Sequence, residues 1–564
     1  MGLCTDETGI QFRLLNASRG PAVRSPRAQV DRHAYNRAMV RRVLSVSGLT
    51  VLEGEVRRLL AHPRRGPDSW KVEGIELGNG ARLSAQAVVL TTGTFLGGVL
   101  HVGGRRVPGG RHEERAASIL SRELRGLGLR LSRHKTGTPP RLDRDSIDLS
   151  GLEVQAGDES PLPFSFRTRR LEIEQLPCHL TWTTRATHQI IRDNAMLSAM
   201  YLGGIRGPGP RYCPSVEDKV MRFPDRPKHQ IFLEPEGRDS REIYPNGIST
   251  SLPAEVQERF LRTIPGLEEV RMLRPGYAVE YDHLATDQLR ADLSVNGVLG
   301  LFAAGQINGT SGYEEAAVQG FVAGVNAVKF LRAESPFLPD RSQSYIGVLI
   351  DDLCRVNPSE PYRMFTSRAE HRLFLRHGNA DLRLAETGHR LGLVPHEELR
   401  RVERRRARID TAVSILDRTM LEGKDLATRI RRPGARLLEV VSRSSELREL
   451  RLSAEDIAEV EARVLYAPYL ERHARERERL ASMAAVELPS DWDFRSMRAL
   501  KTEAREVLEK RRPLTLGEAR NLPGVTPADL SVIMVELRRR AIGKDNDNKR
   551  PGVICCRNSR SFDN

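Results

Sequence analysis

Two apolar runs, each stopping abruptly at glycine, constrain this chain more than any other feature. Ala87-Val-Val-Leu-Thr91 runs into Thr92-Gly93-Thr94, and Gly297-Val-Leu-Gly-Leu-Phe-Ala-Ala304 runs into Gly305-Gln306-Ile307-Asn308-Gly309-Thr310. Near-continuous apolar strands are buried on both faces, as in parallel sheets covered by helices. The second run leads into a predicted small-residue helix, Tyr313 to Leu331, whose Ala316, Ala317, Gly320, Ala323, Gly324 and Ala327 let a neighbouring backbone approach closely. A buried parallel strand ending in glycine admits a dinucleotide against its backbone, and a following helix N-terminus favours the phosphates. Together the junctions at Gly93 and Gly305 predict an α/β flavoprotein that handles two dinucleotides.

Around these junctions the pattern changes several times. The first 45 residues read as a loop leading into a basic helix, Arg27 to Val46. Strand-like runs follow at Thr50–Leu60, Lys71–Leu77 and Arg82–Leu90, and Asn79-Gly80 between the last two signals a tight hairpin. From Asp143 to Leu284 proline and glycine become frequent and periodicity fades, which predicts an inserted, loop-rich domain. Beyond Pro395 the chain turns helical and charged, with Ile457, Val460, Val464 and Leu465 at helical spacing. Pro513–Arg540 reads as a small helical module broken at Pro523-Gly524, and the sequence after Lys544 reads as a disordered tail.

Lys and Arg outnumber Asp and Glu by 89 to 74, giving +15. Such an excess suits an anionic partner such as nucleic acid, or arginines spread over solvated helices. Arg400, Arg401, Arg404, Arg405 and Arg406 form one basic cluster, Arg429, Arg431 and Arg432 a second, and Arg538, Arg539 and Arg540 a third. Basic helices of this kind grip backbone phosphate with little sequence reading. The six cysteines are scattered without C-x-x-C spacing, so neither a metal site nor a disulfide framework is expected, and a reducing compartment fits. No apolar run approaches the roughly 18 residues of a membrane span. Residues 1–20 hold no apolar signal core, and Asp6 and Glu7 sit where a mitochondrial presequence avoids acids.

Five blocks carry a resemblance: Gly9–Asp31 (GIQFRLLNASRGPAVRSPRAQVD), Lys135–Arg141 (KTGTPPR), Gly209–Phe223 (GPRYCPSVEDKVMRF), Ala304–Gln319 (AGQINGTSGYEEAAVQ) and Pro361–Arg368 (PYRMFTSR). They resemble signatures of the MnmG/GidA family, in the family's order, and the similarity extends to about residue 541. The resemblance implies a glutathione-reductase-like FAD-binding domain over 1–142, N-terminally truncated, which returns with a linker over 285–395. An inserted α+β nicotinamide and substrate domain would occupy 143–284, an all-α domain for tRNA and partner 396–541, and the tail 542–564. The implied enzyme uses FAD, NADH and methylenetetrahydrofolate to install a carboxymethylaminomethyl group on carbon 5 of the tRNA wobble uridine. In animal mitochondria the group is taurinomethyl. It works as a homodimer with an MnmE-type GTPase. A mitochondrial setting is expected, suggested by the irregular tail with Cys555-Cys556, with the bacterial cytoplasm as the alternative.

By position in the family, Gln306 matches a glutamine that contacts FAD, Val56 a valine near the adenine and Ser118 a serine at the flavin. Gly93 and Gly305 are the glycines of the two junctions. Gly209, Pro210, Arg211, Tyr212 and Lys219 fall in the stretch that binds nicotinamide, and Cys213 matches one of two cysteines tied to activity. A Cys213 thiolate adding to carbon 6 of uracil would make carbon 5 nucleophilic, given a cation such as Arg211 or Lys219 to lower its pKa. Considered alone, a single cysteine is more often buried ballast. Lys135 is read as catalytic, in a rigid loop that aims it and Arg141 at an anion; the bland reading is a surface turn. Glu314 and Glu315 suit a helix start, and Arg363 and Arg368 suit either phosphate binding or a domain interface.

One departure stands out. The resemblance implies an opening strand with Gly-x-Gly-x-x-Gly to cradle the FAD pyrophosphate, and no such spacing occurs in this sequence. A cofactor-deficient variant that binds tRNA or the GTPase is therefore one alternative to the main reading. Another is a folate-dependent tRNA methyltransferase of the TrmFO type, which shares the flavin fold but against which the long C-terminal helical extension argues.

Overall fold

The structure, a computed structural model, describes residues 1–547 apart from 67, 211–213, 357, 359, 422, 433–436, 485, 521 and 523–524. The chain divides into two compact units, Met1–Leu470 and Glu471–Asn564.

The start of the first unit differs from its reading as a loop. Helix α1 (Gly2–Thr8) leads into an antiparallel hairpin, β1 (Gly9–Leu15) and β2 (Ser25–Val30). Asn16 and Gly20 take the positive φ values that turn the chain between them. Helix α2 (Arg32–Leu44) begins later than Arg27, because Asp31 caps it by accepting the Ala34 N–H at 2.8 Å. The hairpin leans on the segment after residue 150: Gln11 Nε2 donates to the carbonyls of Gln155 (2.9 Å) and Leu176 (3.1 Å).

Strands β3 (Val56–Pro63), β4 (Trp70–Leu77) and β5 (Arg82–Ser84) form a meander that includes the expected Asn79-Gly80 hairpin, with Gly80 in the left-handed region, although the first strand lies later than Thr50–Leu60 and the third stops at Ser84. Next come β6 (Val88–Leu90), the hairpin β7 (Val99–Val102) and β8 (Arg105–Pro108), helix α3 (Ser118–Gly126) and β9 (Leu131–Thr138).

The Pro/Gly-rich stretch is more regular than its sequence suggested. Strands β10 (Arg141–Asp143), β11 (Glu153–Gln155), β12 (Cys178–Trp182), β13 (Gln230–Pro235), β14 (Glu242–Asn246) and β15 (Met272–Arg274) make one sheet in the order β11-β12-β13-β14-β10-β15. They are three to six residues long, too short for alternation to register as a period. Helices α4 (Arg185–Asn194), α5 (Val216–Arg222) and α6 (Ala254–Leu261) cover it around a core that includes Leu142, Ile191, Val216, Ile231 and Phe260.

Strand β16 (Tyr277–Leu284) then joins a separate sheet, β8-β7-β16-β9. After it, β17 (Val298–Leu299) pairs parallel with β4, and β18 (Leu301–Ala303) parallel with β6. The two apolar runs of the sequence thus meet side by side. Helix α7 (Tyr313–Leu331) has the predicted bounds. It is followed by α8 (Tyr345–Val356), α9 (Ala380–Arg390), α10 (His396–Arg418) and further helices, among them the one beginning at Ala454. On that helix Val460 and Val464 are buried, but Leu465 faces solvent.

In the second unit a small core of Trp492, Phe494, Leu508, Leu516, Leu530 and Ile533 holds short helices together. The helix Pro527–Asp547 continues past Lys544. The rest of the segment read as a tail, 548–564 with Cys555 and Cys556, lies outside the described residues. Among the described residues no helix is long and apolar enough to cross a membrane.

Candidate functional site

The two strand-to-glycine junctions converge. A Cβ placed on Gly93 would stand 3.7 Å from Gln306 Oε1, and both Gly93 and Gly305 adopt positive φ, so each backbone turns away directly after its strand. Ser118, the first residue of α3, follows Ala117, whose N–H donates to the Phe95 carbonyl at 2.8 Å; it therefore sits close to the first junction. Val56 opens β3, against which α3 packs through the Arg58–Glu123 ion pair at 2.9 Å.

A buried polar bracket that sequence reasoning missed holds the second junction. Gln319 on α7 is fully buried; its Oε1 accepts the Gly305 N–H (3.2 Å) and the Asn308 amide (2.9 Å), and its Nε2 donates to Thr310 Oγ1 (3.0 Å) and the Glu315 carbonyl (2.9 Å). The signal was present, since all these residues lie in one quoted block. Gly309 then passes over two stacked imidazoles, His134 and His283, with ring centroids 3.7 Å apart. Burial, followed by the neighbouring His283, pushes His134 down to about 3, so the stack is neutral. The Pro361–Arg368 block meets this turn, with the Tyr362 N–H donating to the Gly309 carbonyl at 2.8 Å. Arg363 lies 3.6 Å from Glu315, and Arg368 stacks on the Tyr362 ring while pairing with Asp352 at 3.5 Å. Arg368 is thus engaged within the protein while Arg363 remains exposed, and Glu315 is buried against the same block, accepting the Met364 N–H at 2.9 Å.

Lys135 is not in a loop. It lies in β9, opposite Glu280 of β16, a partner too distant in sequence for the Lys-Thr-Gly-Thr-Pro-Pro-Arg run to reveal. Arg141 is held by Glu236 and stacks on Tyr244 at 4.4 Å. Successive residues of a strand face opposite ways. Tyr281, His134 and His283 therefore face the Gly305–Gly309 turn, where Gln306 Nε2 is 3.5 Å from the Tyr281 hydroxyl. Lys135, Arg133, Glu280 and Asp282 face away from it. The structure thus separates the Lys135 group from the Gln306 group by the thickness of one sheet.

On its own face Lys135 is buried, with Nζ 2.9 Å from Met200 Sδ, and lines a small cleft together with Gly137, Pro210, Ser215, Ser249, Thr250, Ser251 and Ala278. Gly209 is pressed against it: a Cβ there would lie 3.1 Å from Lys135 Cδ. Arg211, Tyr212 and Cys213 lie outside the described residues, but Pro210 and Ser215 on either side of them both line the cleft. Lys219 on α5 donates to the Gly247 carbonyl at 2.7 Å. Of the described cysteines, burial pushes Cys178 up to about 11 and Cys354 up to about 12, which leaves both as unreactive thiols at neutral pH.

Glu280 fastens the segment that covers this face. Its Oε1 accepts the N–H groups of Arg206 and Gly207 at 2.8 Å each, and its Oε2 takes the Arg133 guanidinium at 3.0 Å. Burial by itself would raise this carboxyl, but Arg133 and the two N–H groups hold it below the ordinary range. Its stabilisation is therefore complete above the unfolded value and disappears as pH falls through the lower folded one. As pH falls through the carboxylate range, the Arg206 and Gly207 amides should lose protection relative to their intrinsic exchange rates. Unchanged protection across that window would show that Glu280 does not hold the segment.

The basic cluster of α10 is only partly available. Arg405 pairs with Asp381 (2.7 Å) and Asp456 (2.9 Å), Arg406 bonds the Leu382 carbonyl, and Arg401 pairs with Glu398 at 2.8 Å, whereas Arg400 and Arg404 are exposed. In the second unit Arg540 pairs with Asp491 at 2.6 Å.

The parallel strand pairs, the convergent glycine junctions, the inserted sheet and the helical C-terminal part together define a glutathione-reductase-like FAD-binding α/β fold with an inserted α+β domain and an all-α C-terminal domain. The family model described as glucose inhibited division protein A matches residues 1–335, and that for the tRNA modifying enzyme MnmG/GidA C-terminal helical bundle matches residues 476–554. The chain belongs to the MnmG/GidA family. It is 46% identical to a Syntrophotalea carbinolica protein named tRNA uridine 5-carboxymethylaminomethyl modification enzyme MnmG, over 96% of this chain and 88% of that protein. It is 49% identical to the Myxococcus xanthus protein of the same name, over 96% and 87%. The crystal structure of Aquifex aeolicus GidA superposes with a TM-score of 0.85 at 42% identity, over 95% of this chain and 89% of that one.

Proposed function

We propose that this chain is an FAD-dependent enzyme that modifies carbon 5 of the tRNA wobble uridine. The observation that carries this is the convergence of Gly93 and Gly305-Gln306 at the ends of two parallel strands, in a chain similar almost throughout to proteins named for that activity. FAD fits these residues at its flavin end, where the positive-φ glycines open the backbone and Gln306 reaches Tyr281. When bound, the flavin supplies the redox capacity that joining a one-carbon unit to the base requires. NADH as reductant, methylenetetrahydrofolate as carbon donor, an MnmE-type GTPase as partner and a homodimer complete the reading. The similar proteins come from bacteria, which supports a bacterial cytoplasmic setting over the mitochondrial one, and glycine or ammonium over taurine as the amine.

Cys213 is the nucleophile in this reading. Its thiolate forms a bond to carbon 6 of the uracil, and the electron pair of the 5,6 double bond moves onto carbon 5 and oxygen 4. Carbon 5 then attacks the methylene carbon of the folate in its iminium form, whose C=N electron pair moves onto the nitrogen; carbon 5 loses its proton, and the thiolate leaves as the 5,6 double bond re-forms. Lys135 and the hydroxyls of the cleft would stabilise negative charge on the base. The exposed Arg400 and Arg404 would add salt-dependent phosphate contacts. Cys213→Ala should abolish nucleoside modification while leaving tRNA affinity unchanged; a fully active variant would remove Cys213 from the mechanism.

The alternative reading is a protein that binds tRNA without flavin. Purified protein that is colourless, cannot be reconstituted with FAD and still binds tRNA would establish it. The match of residues 476–554 to the MnmG/GidA bundle weighs against the TrmFO-type alternative.

A further inference from the structure

The chain that follows the Cys213 block presents charge and apolar surface that the fold itself does not use. Helix α5 is capped by Ser215, which lines the Lys135 cleft, and its seven residues carry the chain about 10 Å along the helix axis. The two carboxylates of α5, Glu217 and Asp218, are buried. Every residue of the strip 221–228 is exposed, and there Arg222, Arg226 and Lys228 outnumber one carboxylate, Asp225. None of these three cations forms an ion pair among the described residues, and Lys228 Nζ lies 4.2 Å over the Trp182 ring. Arg405 and Arg406 of α10, by contrast, are already engaged.

Helix α4 adds to the same positive field. His188 lies one turn before Arg192 on α4, and its ring is 5.2 Å from that of His229, the residue after Lys228. Burial, then Arg192, lowers His188, and burial, then His188, Lys219 and Arg226, pushes His229 down to about 4. Cations from α4, α5 and the strip thus converge on this histidine pair, with no carboxylate acting against them. Apolar side chains are interleaved with the charge. Met221 is exposed, and Phe223, at 51% exposure, leaves much of its ring open.

We propose that the strip 221–228 docks the anticodon loop of the tRNA, with Arg222 and Arg226 on backbone phosphates and Phe223 stacked on an unpaired base beside the wobble position. The inference rests on the functional reading above and adds to it the surface that presents the loop. Cations without partners suit phosphates. Loop bases, unlike those of a duplex, are free to stack on an aromatic ring. Alternating cations and an aromatic ring match alternating phosphate and base better than they match a purely acidic surface.

The test is fluorescence anisotropy of the full chain with a labelled RNA stem-loop carrying uridine at the wobble position, repeated over a series of salt concentrations. Arg222→Ala with Arg226→Ala should weaken binding about tenfold or more, as loss of charged hydrogen bonds does. It should also flatten the slope of log affinity against log salt by about 1.4 to 1.8, the value for two lost phosphate contacts. Arg222→Lys with Arg226→Lys keeps the charges and should hold the parent slope. Phe223→Leu should weaken binding about fivefold or more at an unchanged slope, as loss of one stacked base does. A double alanine variant with the affinity and slope of the parent overturns the proposal, and a Phe223→Leu variant that binds like the parent refutes its stacking contact. A double alanine variant whose sedimentation also changes overturns it too, because the strip would then join two copies of the chain. All three outcomes leave the functional reading standing, whereas a parent protein that binds neither the stem-loop nor whole tRNA defeats that reading itself.

Discussion

Glu459→Ala should destabilise the protein by about 3–5 kcal/mol, because it strands a buried guanidinium. Arg376 and Glu459 are both almost fully buried, and Arg376 Nη2 donates to Glu459 Oε1 and Oε2 at 2.8 and 2.9 Å. Arg463 adds a contact to the same carboxylate at 3.1 Å. Arg383 crowds the site as well: burial, then the charge of Arg376, pushes it down to about 10. Removing the one carboxylate leaves these cations facing each other away from water. Glu459→Gln keeps an acceptor for Arg376 and should lose less. The double variant Glu459→Leu with Arg376→Met should recover most of the loss, since a buried ion pair gains little over well-packed apolar side chains. Denaturant unfolding of the three variants gives the comparison. A Glu459→Ala loss below about 1 kcal/mol would mean that the pair is solvated like a surface ion pair.

The second large effect falls on the cofactor. Gln319→Leu keeps the volume of the side chain but removes the bracket that fixes the Gly305–Thr310 turn. It strands the Gly305 N–H, takes from Asn308 one of its two amide bonds (the other, to the Ala303 carbonyl, remains) and leaves the Thr310 hydroxyl without its donor. Each orphaned buried group costs about 1–3 kcal/mol, and the turn can relieve that only by leaving the position in which Gln306 meets the first junction. FAD affinity should fall at least about tenfold, about 1.4 kcal/mol, while the core of the inserted domain stays intact. Flavin fluorescence titration reads the affinity, and circular dichroism reads the fold. Unchanged affinity would show that the turn is held by its glycines alone.

What could be read from the sequence follows how local each feature is. The Gly93 and Gly305 junctions, the Asn79-Gly80 turn and helix α7 are written in contiguous residues, and all four occur where they were expected. The pairing partners were not legible. Lys135 looked like a loop residue because its partner strand lies far downstream, and the hairpin of β1 and β2 looked like a loop because Pro26 and the arginines hide its alternation. Glu280 belongs to no motif and gains its role only where β16 brings it under Arg206 and Gly207. Arg405 and Arg406 read as phosphate ligands because Asp381, Asp456 and the Leu382 carbonyl, which occupy them, are distant in sequence. A charge run shows how many cations there are and not which of them are already engaged.

The most direct test of the central claim is nucleoside mass spectrometry of tRNA from a bacterial strain that lacks its own MnmG and expresses this chain. The account predicts the return of a carboxymethylaminomethyl-type group on the wobble uridine, and its loss with Cys213→Ala. Soluble, tRNA-binding protein that accumulates while the wobble uridine stays unmodified would contradict it.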